Sequence, residues 1–274
     1  MLREYDSNVP ITSMKDAFVV TGKNVVVTGG SRGIGYGIVK AFAELGNDVA
    51  IICRGIERGN EAAKAIADEY GVTCFAVQCD ISSLDEVKAA ADVIYGNFEH
   101  VDILINNAGV GAGTALIDDE NLEEWYRVIG INLNGPANMM HVFGRKMVDA
   151  GRGGVIINTS SAASFTTKKA IEFPMPAYHA AKAGLNMLTQ YMAAELGEAG
   201  GIRVNSFAPG LTRTELNEEL PEGYAENMLA KENLTHRMAE PIELGAFCVF
   251  LASPAGSQID GVVFKHDGGQ LVLG

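Results

Sequence analysis

The chain has 274 residues, 47% of them hydrophobic, and 21 Lys and Arg against 34 Asp and Glu give it a net charge of -13. That length builds one large core or two small ones, and the acidic balance excludes a nucleic-acid surface, which needs a basic stripe. The four cysteines (Cys53, Cys74, Cys79 and Cys248) form no C-x-x-C pair, and no Cys/His cluster has zinc spacing, so reduced thiols are expected and no metal site.

Residues 1–17 precede the first strand and read as an added arm, with 18–274 as a single domain. Arg3, Glu4 and Asp6 stand where a signal peptide would carry its apolar segment, and no apolar run is long enough to cross a membrane. A soluble, cytoplasmic protein is expected. In the arm, Tyr5, Val9, Pro10 and Ile11 are candidates for packing on a neighbouring subunit, the alternative being disorder.

Short β-branched runs then alternate with longer segments of helical period. Strands are predicted at Asn24–Thr28, Asp48–Cys53, Thr73–Gln78, Asp102–Asn106, Val155–Thr159, Arg203–Phe207 and Val262–Lys265. Several are apolar without alternation, the pattern of parallel strands covered on both faces. Helices are predicted at Gly33–Leu45, Ile56–Tyr70, Leu84–Phe98, Asn121–Ala150, Ala177–Ala199 and Pro241–Ala252, with Gly46, Gly71 and Gly200-Gly201 at helix ends. Strand–helix alternation of this kind means an α/β sheet with helices on both faces.

The first strand runs into Thr28-Gly29-Gly30-Ser31-Arg32-Gly33-Ile34-Gly35, ahead of a helix. Glycines allow a tight turn and close approach of backbone amides, and the helix N-terminus favours a pyrophosphate. Taken alone, this G-x-x-x-G-x-G spacing also suits a plain tight connection. Further along, Tyr178 and Lys182 stand four residues apart, about one helical turn, so both project from one face. A phenol beside a fixed ammonium is expected to have a lowered pKa and to exchange protons near neutrality.

With these residues the chain resembles the short-chain dehydrogenase/reductase family from about Phe18 to its end. The motifs match in order: the T-G-x-x-x-G-I-G turn, Asp80, Asn106-Asn107-Ala108-Gly109, Asn132 in Ile131-Asn132-Leu133-Asn134-Gly135, and Ser160-Ser161. The Tyr178/Lys182 pair, Pro209-Gly210 with Thr214, and Asp267-Gly268-Gly269 follow. The resemblance implies a Rossmann-type, doubly wound parallel sheet of about seven strands with ligands at the strands' C-terminal edge.

It also implies roles. Tyr178 is the general acid in reduction and base in oxidation, Lys182 depresses its pKa and holds the nicotinamide ribose, and Ser161 hydrogen-bonds the reacting oxygen. Asn132 holds a water linking Lys182 to solvent. Ser160 is left to face backbone. Gly29, Ser31, Arg32 and Ile34 form the phosphate turn. Asp80 and Ile81 face adenine, although Asp80 also suits a helix cap ahead of Ser82-Ser83. Asn107, Ala108 and Gly109 pack against the adenosine end, while Pro209, Gly210, Thr212 and Thr214 border the nicotinamide.

Cofactor choice follows from charge. NAD-dependent relatives carry an acidic residue at the end of the second strand; here Cys53 stands there, followed by Arg54, with Arg32 in the glycine turn. Two guanidinium groups suit a 2′-phosphate, so NADP(H) is expected ahead of NAD(H), the alternative being two solvated arginines.

Ala162–Ala177 is longer than in many relatives and is expected to wall the substrate pocket, with Phe165, Phe173 and Met175 apolar. Lys168 and Lys169 are either solvated or attractive to an anion. Pro174-Met175-Pro176 resembles the run before the tyrosine in polyol and ketose reductases. His179 is expected off the catalytic face, and Glu215–Glu240, with Tyr224 and Met228, is by resemblance the lid. A small-molecule ketose/polyol or sugar acid leads as substrate, ahead of a 3-oxoacyl thioester and a steroid or bile-acid ketone. A non-catalytic NADP-binding regulator is the alternative of another class. A homotetramer is expected ahead of a dimer, through the helices Asn121–Ala150 and Ala177–Ala199.

Overall fold

Seven strands line up side by side, all parallel: β1 (Asn24–Thr28), β2 (Asp48–Cys53), β3 (Cys74–Gln78), β4 (Ile103–Asn106), β5 (Gly154–Thr159), β6 (Ile202–Pro209) and β7 (Val263–His266). The computed structural model describes residues 11–111, 113–167, 174–215 and 233–273. Strand order is β3-β2-β1-β4-β5-β6-β7. The chain winds outward from β1 to β3, then returns to β4 on β1's other side. The crevice between β1 and β4 is therefore the switch point where such sheets bind ligands.

Both faces of the sheet are buried, which explains the unbroken apolar runs. Val26, Ala50, Ile52, Leu104 and Ile156 point into one core, while Val25, Val27, Ile51, Ile105 and Ile157 point into the other. Each fully buried side chain of this kind stabilises the fold by roughly 1.5–3 kcal/mol. Helices α3 (Leu84–Asn97) and α7 (Pro176–Gly200) cover the first face; α1 (Gly33–Glu44), α2 (Ile56–Tyr70) and α8 (Pro241–Ala252) cover the second. Ser83 caps α3 by accepting the Glu86 N–H, and α8 opens with a Glu240/Glu243 capping box and Pro241. Gly71 and Gly201 end α2 and α7 in the left-handed conformation.

The predicted helix Asn121–Ala150 is not uniform. It starts at α4 (Glu123–Ile129), passes through a π segment (Gly130–Asn134), α5 (Gly135–Met139) and a second π segment (Met140–Gly144), and ends as α6 (Arg145–Ala150). One cause is written in the sequence. Pro136 carries no N–H, so the Asn132 carbonyl, four residues back, has no α-helical donor.

The predicted arm is not wholly separate from the domain. Ala17 is buried, and its carbonyl accepts the Ala255 N–H at 2.7 Å. Tyr5, Val9 and Pro10 lie outside the described residues.

Candidate active site

A cleft of about 1090 Å³ runs along the C-terminal edge of the sheet. Its end by the glycine turn is welded together by Thr28 and Asn107. The Thr28 hydroxyl oxygen accepts the N–H groups of Asn107 (2.9 Å) and Ala108 (3.0 Å), and the Asn107 amide donates to the Thr28 carbonyl (3.1 Å). Gly35 has no room for a side chain: a Cβ there would lie 2.2 Å from the Gly29 carbonyl oxygen. The helix α1 therefore starts tight against the turn. Its N-cap residue, Arg32, makes no capping hydrogen bond, and no acidic side chain occupies its first turn. Its first amides are left open, a donor set that fits an anion such as a pyrophosphate.

Around this turn, Gly29, Ser31, Arg32, Ile34, Arg54, Asp80, Ile81, Asn107, Ala108 and Gly109 all line the cleft. Asp80 does not cap α3. Its carboxylate accepts the Ser82 N–H (2.9 Å) and hydroxyl (2.7 Å). Burial works against its charge, but the Ser82 donors and the Arg54 guanidinium hold its carboxyl below the ordinary range.

At the other end stand Ser161, Tyr178 and Lys182. Pro176, at the first position of α7, sets the helix start so that Tyr178 and Lys182 fall within its first two turns. Lys182 is buried, and its Nζ donates to the Thr159 carbonyl at 2.7 Å. With little solvent around the ammonium, burial brings its pKa down to about 8. Tyr178 moves against the expectation from sequence. Burial pushes its phenol up, and a hydrogen bond with Ser161 offsets this only partly. The Lys182 ammonium gives one of its three N–H bonds to Thr159 and lies 5.8 Å from the phenol ring centre, and it is not among the causes of the Tyr178 shift in the free protein.

The two serines have separated. Both line the cleft, but Ser160 is buried and donates to the Asn186 side-chain oxygen at 2.6 Å, whereas Ser161 hydrogen-bonds with Tyr178. Asn132 is also buried and off the cleft surface. Its side chain accepts the Val110 N–H (2.9 Å) and donates to the Val110 carbonyl (2.8 Å). Each end of that amide keeps a second position, an N–H on Nδ2 and a lone pair on Oδ1, so it retains the capacity to bind a water.

The family model described as enoyl-(acyl carrier protein) reductase matches residues 29–270. D-threitol dehydrogenase of Mycolicibacterium smegmatis is 34% identical over 258 residues, covering 93% of this chain and 95% of that protein. The chain belongs to the short-chain dehydrogenase/reductase family. L-sorbose reductase from Gluconobacter frateurii, solved with NADPH and L-sorbose, is 29% identical with a TM-score of 0.84, covering 93% of this chain and 98% of that one. A 7α-hydroxysteroid dehydrogenase solved with NADH and 7-oxo glycochenodeoxycholic acid is 29% identical with a TM-score of 0.86, covering 94% and 98%.

As a short-chain dehydrogenase/reductase, the protein is an oxidoreductase acting on alcohol or ketone substrates. Of the residues expected to border the nicotinamide, Pro209, Gly210 and Thr214 line the cleft. Thr212 does not. It is buried, its hydroxyl donates to the Gly210 carbonyl, and a β-bridge to Ala239 turns it inward; Leu211 takes its place at the surface. Several lining residues, Arg58, Gln270 and Leu271 among them, went unassigned in the sequence. Arg58 and Glu215 pair through both carboxylate oxygens across the cleft, and Gln270 and Leu271 come from the chain's end. His179, expected off the site, lines it too. Phe165 and Met175 are described; Lys168, Lys169, Phe173, Tyr224 and Met228 lie outside the described residues.

No group of three or more metal-binding side chains occurs among the described residues, and no described helix is long and apolar enough to cross a membrane.

Proposed function

We propose that the protein is an NADP(H)-dependent reductase and dehydrogenase interconverting a ketose or sugar acid with its polyol or alcohol. The observation that carries the cofactor reading is the pair Arg32 and Arg54 in one cleft, beside a strand end that offers the thiol of Cys53 where a carboxylate would select NAD(H). Gly29, Ser31, Ile34 and the open turn of α1 would hold the pyrophosphate. Asp80, Ile81, Asn107, Ala108 and Gly109 would flank the adenosine, and Pro209, Gly210, Thr214 and the backbone near Thr212 the nicotinamide. When bound, the nicotinamide supplies or accepts the hydride.

The chain's own residues do the proton work. In reduction Tyr178 gives its phenolic proton to the carbonyl oxygen, while the Ser161 hydroxyl donates to that oxygen as charge develops. A phenol kept protonated by burial suits the acid role. Lys182, with a pKa about 8, holds the ribose and returns a proton to Tyr178. Asn132 holds the water through which Lys182 reaches solvent.

The polyol reading is supported by the likeness to threitol dehydrogenase and sorbose reductase. A 3-oxoacyl thioester is the second reading, favoured by the description of the matching family model. Residues 18–274 act as one catalytic domain in a cytoplasmic homotetramer, a reading supported by exposed Tyr126 on α4 and Met187 and Tyr191 on α7. The deciding experiment measures kcat/KM for ketoses, 3-oxoacyl thioesters and steroid ketones with NADPH and with NADH. Preference for a ketose and NADPH is expected; a preference for NADH or for a thioester overturns the corresponding half.

A further inference from the structure

Two polar side chains at the substrate end of the cleft take no part in the chemistry proposed above. His179 is the first. Its Nδ1 lies 2.8 Å from the Met175 carbonyl oxygen, which can only accept, so in the neutral ring Nδ1 carries the proton. Nε2 is then a bare acceptor, and it has no partner among the described residues. The ring is half-buried and lines the cleft.

Gln270 is the second, and the Asp267-Gly268-Gly269 turn delivers it. The Asp267 carboxylate accepts the N–H groups of Gly269 (3.0 Å) and Leu271 (2.8 Å), which curls the chain back on itself. Gly268 and Gly269 have φ of 62° and 85°, and a Cβ on either would come within 2.4 Å of Asn233 or 2.6 Å of Leu234. The turn presses the Gln270 carboxamide onto Gly210, where a Cβ would lie 3.0 Å from its Oε1. The neighbouring turn Ala162–Phe165, which follows Ser161, packs on Gln270–Val272, and Lys265 Nζ lies 5.1 Å above the Phe165 ring. The chain's end is thus held against the wall that carries Ser161. The Gln270 carboxamide makes no hydrogen bond with described residues, so it offers a donor and an acceptor to the cleft.

Both groups face the open cleft. A ligand that covers them must satisfy their hydrogen bonds, and an apolar one leaves them unpaired. We infer that His179 Nε2 and the Gln270 carboxamide are specificity-determining groups that hydrogen-bond hydroxyls flanking the reacting carbonyl of a polyhydroxylated chain. The inference rests on the ketose/polyol reading and names what selects for it.

The test compares two four-carbon ketones that differ only in hydroxyls, 1,3,4-trihydroxy-2-butanone and 2-butanone, at saturating NADPH. Gln270→Leu and His179→Asn should each raise KM for the trihydroxy ketone about five- to ten-fold, the scale of one neutral hydrogen bond, with kcat and the 2-butanone kcat/KM nearly unchanged. His179→Gln, whose amide reaches the Nε2 position, should keep the wild-type KM. The inference is overturned if His179→Asn keeps it instead, since Asn preserves only the bond to Met175. It is also overturned if both ketones shift alike or neither shifts. A wild type that reduces the trihydroxy ketone while the variants match it sinks this inference alone; a wild type that ignores every polyhydroxy ketone sinks the ketose reading with it.

Discussion

The two ends of the cleft are built from different material. At the end by the glycine turn, main chain at strand ends is braced by Thr28 and Asn107, whose side chains hold the turn, and Arg32 and Arg54 lie alongside. At the substrate end they come from side chains on three distant stretches, the turn after β5, the start of α7 and the chain's last turn. Backbone cradles change little when a single residue is replaced, whereas side-chain clusters change chemistry with one substitution. The first end is suited to a constant ligand and the second to a selected one.

The comparison breaks most visibly at Tyr178. Tyr178→Phe should lower kcat by about 10³-fold, within the range for one general acid, while the Kd for NADPH by fluorescence titration stays near wild type. Retained turnover would remove the proton-transfer role. A smaller effect is expected at the opposite end. Arg32→Ala or Arg54→Ala should raise KM for NADPH about ten- to hundred-fold, the scale of a charge-assisted hydrogen bond, and leave NADH kinetics almost untouched. Parallel loss with both cofactors would mean that the arginines shape the turn and do not read a phosphate.

The least effect, on stability alone, concerns Lys182. Its folded-state pKa, about 8, lies below the ordinary 10.5, so between those values the unfolded chain binds the extra proton. Stability should therefore rise with pH across that window, and below about pH 8 the full cost of the buried ammonium is present. That cost is about 3–4 kcal/mol at most, at about 1.4 kcal/mol per pH unit across the gap between about 8 and 10.5. Lys182→Met should accordingly be inactive yet melt higher than wild type at pH 7, with the gap closing by pH 10. A variant that melts lower at both pH values would show the ammonium to be stabilising.

The difference between the ends also explains what could be read from the sequence. Strands buried on both faces announce themselves as apolar runs, and their predicted limits fall within one or two residues of those observed. The phosphate turn and Tyr178/Lys182 are contiguous or one turn apart, so spacing carries them. Gln270 is visible only when the sheet brings the chain's end beside Ser161, and the Arg58–Glu215 pair joins residues 157 positions apart. The direction of the Tyr178 shift depends on burial, only partly offset by the Ser161 hydrogen bond, and spacing records neither.

The broken helix between β4 and β5 has a consequence for phase. Most of its buried positions repeat every four residues: Ile131, Gly135, Met139, Phe143 and Met147, with Val128, Asn132, Pro136, Met140 and Gly144 beside them and Val142 outside both rows. A regular helix has about 3.6 residues per turn, so a repeat of four would rotate its apolar stripe by about 40° per step and carry Met147 nearly to the opposite side. Each π segment admits one extra residue and winds the stripe back. Two such corrections cancel the drift of four steps almost completely. The helix thus keeps one face to the sheet from end to end, and Asn132 sits inside the first correction.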